Sequence, residues 1–106
     1  MAFLTAMEIV GMTREWVGKN PKVWKWMKQT ARECTAMKRH FSVARMVEEA
    51  RYTKPVEGVD EYRINNDIRA ALTRWLIVEI PDCEPYIEKR RSKLDAIDWR
   101  NLEWAA

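Results

Sequence analysis

The stretch from Tyr62 to Leu76, YRINNDIRAALTRWL, constrains the fold more than any other, because it joins a chain reversal to a strongly patterned helix. Tyr62 and Ile64 read as a short extended entry. Asn65 and Asn66 follow, with side chains suited to accept from the free N–H groups of a helix's first turn. Ile68, Ala71, Leu72, Trp75 and Leu76 then recur at three- and four-residue spacing and line up one apolar face, while Arg69, Thr73 and Arg74 fall elsewhere. One side is expected to pack and the other to be free. An amide pair followed by Arg69 and Thr73 at a helix start is an inventory that can read base edges, Asn suiting adenine and Arg guanine. The same residues also make an ordinary capped helix with a solvated face.

The remaining start and stop signals divide the chain into helices. Thr5 and Glu8 form a T-x-x-E capping box, and Ile9, Met12 and Trp16 continue at helical spacing to a stop at Gly18, which predicts a first helix near 6–17. Asn20-Pro21 pairs an N-cap with a proline at the first helical position, and a helix to about Arg39 is expected after it. Val23, Met27, Thr30, Ala31, Cys34 and Met37 would be its buried face. Lys22, Lys25, Lys28, Gln29 and Arg32 form a cationic stripe that suits either a phosphate backbone or plain solvent. Ser42 caps a third helix over 42–52, with Val43, Met46, Val47 and Ala50 inward. Thr53 to Glu61 reads as a loop. Ile80-Pro81 ends the helix at 66–79, and Ser92 with Asp95 marks a final helix over 93–103. This is a mainly α chain of four to five helices, with a short β-hairpin possible. At 106 residues it is read as one domain, its core over about 5–92 and a Trp-containing tail over 93–106.

Charge placement says more about partners than the net +3. Between Lys19 and Arg51 there are nine basic residues against three acids, and a second basic cluster runs Lys89-Arg90-Arg91-Ser92-Lys93. Such a surface suits a binder that neutralises a few phosphates and excludes an acidic nucleic-acid mimic. Cys34 and Cys83 stand far apart and His40 is the only histidine, so the usual zinc spacings are absent and no metal or cofactor is expected. No nucleophile and base pair, carboxylate pair or glycine-rich phosphate loop can be drawn, which argues against an enzyme. The apolar start lacks a basic leader region, and no run of about eighteen apolar residues occurs; a cytoplasmic protein without a membrane span is expected.

Three helices, a linking loop, a capped helix and a basic extended segment follow the order of a winged helix-turn-helix. In that mapping 42–52 supports, 66–79 recognises and 86–93 is the wing. A standard turn there has three or four residues, whereas more than ten separate these two helices, which either hold a strand that pairs with the wing or make the likeness one of element order alone. Asn20-Pro21 with Val23-Trp24, Glu48-x-x-Arg51-Tyr52, Tyr62-x-Ile64-Asn65-Asn66, Ala71-Leu72-x-Arg74-Trp75-Leu76, and Pro81 through Tyr86, Arg90 and Ser92 give a further likeness. Over about residues 20–92 the chain resembles a family of small, largely uncharacterised proteins encoded by phages and prophages. That resemblance implies a mobile-element origin and brings no established activity.

Two functions follow as expectations. One is nucleic-acid binding through Asn65, Asn66, Arg69 and Thr73, with Lys25, Lys28, Arg32, Lys89, Arg90, Arg91 and Lys93 on phosphates. The alternative is a protein-binding inhibitor of a host defence effector, of anti-CRISPR type, anchored by Trp99 and Trp104; aromatic anchors often carry an interface. The partner is then DNA or a nucleic-acid-handling host protein, and a homodimer is a further option.

Overall fold

The computed structural model describes residues 4–53, with side chains to Ala50, and residues 66–102. Four helices account for most of them: α1 (Ala6–Lys19), α2 (Pro21–Ala36), α3 (Val43–Thr53) and α4 (Asn66–Glu79). Short 3₁₀ turns follow at Pro81–Cys83, Lys93–Ala96 and Trp99–Asn101.

The capping signals explain most of the boundaries. Glu8 N donates to Thr5 Oγ1 at 3.1 Å, and the Glu8 carboxylate reaches back to Thr5 N, so the box at the start of α1 forms as its spacing requires. Gly18, expected as a stop, lies inside α1. The stop is Asn20, whose backbone N–H and side-chain Nδ2 both donate to the Trp16 carbonyl at 2.9 Å. Asn20 therefore closes α1 and makes no side-chain cap on α2, leaving Pro21 alone to open that helix. At the other end α2 stops three residues early. Lys38 takes φ 55, with Arg39 N bonded to Cys34 O and Lys38 N to Thr35 O, a Schellman reversal with lysine where glycine is usual. That reversal leaves Met37, expected in the core, exposed.

α4 is the central element. Its residues Ala71 to Leu76 are all buried, because apolar clusters lie on both of its sides. On one side Ile68, Leu72, Trp75 and Leu76 join Val23, Trp24, Met27 and Ala31 of α2, Val43, Met46, Val47 and Ala50 of α3, and Cys83 and Ile87 beyond α4. Trp24 and Trp75 meet with ring centroids 4.9 Å apart, tilted by 44°. Ala71 on the other side joins Ile9 and Val10 of α1 with Leu94 and Trp99. Burying side chains such as Leu72 and Leu76 stabilises the fold by about 1.5–3 kcal/mol each.

Two expectations change here. Thr73 and Arg74, placed on a free face by helical spacing, are buried. The second cluster covers that face, and the small Ala70 and Ala71 let it approach. The C-terminal segment, read as a tail or a helix over 93–103, forms two short 3₁₀ turns over its described part, the first opened by the Ser92 and Asp95 capping box. Leu94 and Trp99 are core residues, and Trp99 Nε1 donates to the Leu94 carbonyl at 2.8 Å. Leu94, Ile97 and Trp99 share no helical face because the backbone between them is two 3₁₀ turns.

The described residues contain no strand, so the hairpin and wing are not seen in them. The 86–93 segment instead makes one parallel bridge, between Ile87 and Phe41. Phe41 N donates to Tyr86 O at 3.0 Å, and Glu88 N to Phe41 O at 2.8 Å. The proposed pairing of the wing with the loop falls on residues outside the described ones. No described helix is long and apolar enough to cross a membrane.

Candidate nucleic-acid interface

The bridge at Phe41 has a geometric consequence. It lays residues 88–92 beside the first turn of α3, and both face the N-terminal half of α4. The three walls enclose a groove of about 480 Å³ lined by Ser42, Val43 and Ala44, by Asn66, Arg69, Ala70, Thr73 and Arg74, and by Glu88 to Ser92. Five basic side chains and one acid line it. A second hollow of about 250 Å³ behind it is balanced, with Arg74, Lys89 and Arg100 against Glu84, Asp95 and Asp98. Arg74 is paired with Asp95 and Lys89 lies 3.7 Å from Glu84, so the remaining surplus in the larger groove is Arg69, Arg90 and Arg91 against Glu88, which favours an anion there.

Arg74 holds the groove together. Its side chain is 5% exposed. Nε donates to Asp95 Oδ1 at 3.0 Å, Nη1 to the Ala70 carbonyl at 2.9 Å and Nη2 to the Arg90 carbonyl at 2.7 Å. A planar guanidinium can satisfy these acceptors at once, which an ammonium cannot. Asp95 is fixed in turn by the Ser92 capping box, with Ser92 N donating to Oδ2 at 3.0 Å and Leu94 N to Ser92 Oγ at 3.1 Å. Segment 90–95 is thus strapped to α4, and Arg90 and Arg91 are carried on a fixed backbone.

The Ser92 amide, with Arg74 beside it, holds the Asp95 carboxyl below its ordinary range. A depressed folded value means that the carboxylate's contribution to stability is complete above the unfolded value, near 3.9. It is lost as pH falls through the lower folded value. The strap is accordingly expected to be insensitive from neutral pH to about pH 5 and to loosen below about pH 4. Asp95→Asn should flatten that acid limb in a pH series of urea midpoints; an unchanged limb would show that other carboxylates set it.

The groove brings together six of the residues picked from the sequence: Asn66, Arg69, Thr73, Lys89, Arg90 and Arg91. Thr73 enters it in a different role from the base-reading one expected, since its buried hydroxyl donates to the Arg69 carbonyl at 2.9 Å. Lys25 and Arg32 stand exposed on α2, apart from the groove, and Lys28 lies half-buried over the Trp24 ring. Lys93 also lies outside it, its ammonium bonded to the Leu4 carbonyl. Asn65 and Trp104 fall outside the described residues. Trp99, expected as an exposed anchor, is 8% exposed with its indole N–H satisfied, so it presents little to a partner.

Sequence reasoning missed Ser42, Val43 and Ala44 as part of this site. The N-cap at Ser42, which accepts from Arg45 N at 3.1 Å, was a visible signal for a helix start. Its approach to 88–92 depends on the bridge at Phe41, which has no local signature.

Other chemistry is sparse among the described residues. They contain no group of three or more potential metal ligands. Burial, with Glu84 and Asp82 adding to it, pushes the Cys83 thiol up to about 11, so it behaves as a small hydrophobe. Comparison with family models, curated proteins and solved structures finds no match to this chain.

Proposed function

We propose that this chain is a non-catalytic nucleic-acid-binding protein of phage or mobile-element type that grips phosphates in the groove between α3, α4 and residues 88–92. The observation that carries this reading is the groove's lining, in which Arg69, Lys89, Arg90 and Arg91 outnumber the one acid, Glu88, on a segment that Arg74 and the Phe41 bridge tie to α4 and α3. Lys22, Lys25 and Arg32 on the exposed side of α2 supply a second basic surface for longer-range attraction. α4 does not serve as a freely projecting recognition helix, since its middle is buried on both sides. Its contribution is the first turn, where Asn66 and Asp67 are exposed and Arg69 is half-buried. Contacts of this kind position a duplex or strand and read little sequence.

Paired substitution of Arg90 and Arg91 tests the reading. Arg90→Ala with Arg91→Ala should weaken binding to unrelated duplexes alike and reduce the magnitude of the salt slope by about 2, measured by fluorescence anisotropy. Unchanged affinity in the folded double variant would remove the groove from the interface. The inhibitor reading finds less support, because one of its two anchors, Trp99, is a core residue.

A further inference from the structure

Two arginines of α4 line the same groove, and their hydrogen bonding differs. Every nitrogen of the Arg74 guanidinium has an acceptor within the protein. Arg69 is different: its Nε is buried and has no hydrogen-bond partner among the described residues. A buried donor left unmade is costly, and arginine is the side chain whose fork matches phosphate oxygens. Lys89, Arg90 and Arg91 stand on the facing wall. The third wall is the first turn of α3, where Val43 and Ala44 occupy positions whose amides have no acceptor within a helix. Ser42 Oγ accepts from the next amide, that of Arg45.

We infer that the groove contains a discrete seat for one phosphate group, with Arg69 as its ligand-specific donor and the Val43 and Ala44 amides as its backbone contacts. This rests on the nucleic-acid reading only for the source of the phosphate, a backbone phosphodiester. Arg74 is a positioning residue in this arrangement, committed to Asp95 and to the Ala70 and Arg90 carbonyls.

The test is a pair of titrations on the full chain by ¹⁵N-resolved NMR, one with inorganic phosphate and one with a short DNA duplex. Both should move the Val43 and Ala44 amides and the Arg69 Nε–H signal. Arg69→Gln, checked for an unchanged fold by its spectrum, should abolish the phosphate response and weaken duplex binding about tenfold, as loss of one charge-assisted contact does. Arg69→Lys should recover part of the duplex affinity and little of the phosphate response, because the ammonium keeps the charge without the fork. Duplex binding that moves Lys25 and Arg32 while the groove signals stay still would overturn the seat and leave the nucleic-acid reading standing. Phosphate shifts without duplex binding would support the seat and overturn the nucleic-acid source, pointing to a free phosphate ester. No shift with either ligand overturns the inference.

Discussion

Trp75→Ala is expected to lower the free energy of unfolding by about 3–5 kcal/mol, the range for deleting a buried large aromatic side chain. Trp75 is 6% exposed and meets Trp24 at 4.9 Å, so it couples α4 to α2 across the main cluster. Its indole N–H also donates to Glu79 at 3.3 Å, which ties the ring to the last turn of its own helix. Truncation removes the area, the aromatic pair and the bond, and leaves a cavity in the main cluster that also holds Val23, Met27 and Leu72. Trp75→Phe keeps the ring contact and should lose less than half as much. Urea unfolding followed by circular dichroism reads both, with the slope m unchanged if the loss is native-state packing. A loss below about 1 kcal/mol for the alanine variant would mean that the two helices are not coupled through this ring.

Arg74→Ala is the second large effect, about 2–3 kcal/mol, and it has a functional readout. The substitution strands the Arg90 carbonyl and Asp95 without their shared donor. Asp95 is 44% exposed and is rescued by water, which keeps the cost below that of a fully buried pair. Release of the strap is the more informative consequence. Amides from Arg90 to Asp95 should exchange faster with solvent than in the native chain, while those in the core of α2 change only by the global loss. Arg74→Lys should release the strap nearly as much as alanine, since one ammonium cannot reach three acceptors on different elements. Full protection of the segment in Arg74→Lys would show that charge alone holds it.

Both predictions concern α4, and the sequence exposed part of its role. The spacing of Ile68, Leu72, Trp75 and Leu76 marked the helix and its first apolar face, and local pattern was enough because those neighbours lie within one helix. Thr73 and Arg74 were misplaced for a complementary reason. Polar residues at helical spacing read as solvated, yet a threonine can return its hydroxyl to the preceding turn, as Thr73 does, and an arginine can be buried when several carbonyls and a carboxylate converge on it. Which face a second layer covers depends on Leu94 and Trp99, far along the chain.

The candidate site was legible in the same uneven way. Asn66 and Arg69, read as facing base edges, and the 89–91 cluster, read as facing phosphates, could be picked out from charge and helix position. Their union with Ser42, Val43 and Ala44 could not, because it requires the single bridge between Phe41 and Ile87. Lys93 was grouped with the cluster by adjacency, although the 3₁₀ turn at Lys93–Ala96 directs it to the Leu4 carbonyl. Trp99 was read as an anchor because tryptophan without a helical pattern looks surplus. Its place was in the second cluster, beside Ala71.

The central claim is that the groove neutralises phosphates, and the most direct measurement is the salt dependence of duplex binding by the unmodified chain. Arg69, Lys89, Arg90 and Arg91 are four cations, and full engagement of three or four phosphates gives a slope of log K against log salt of about −3 to −4. Binding with that slope, undiminished across unrelated sequences, is the result expected here. Absence of binding at low salt, or binding indifferent to salt, would contradict it.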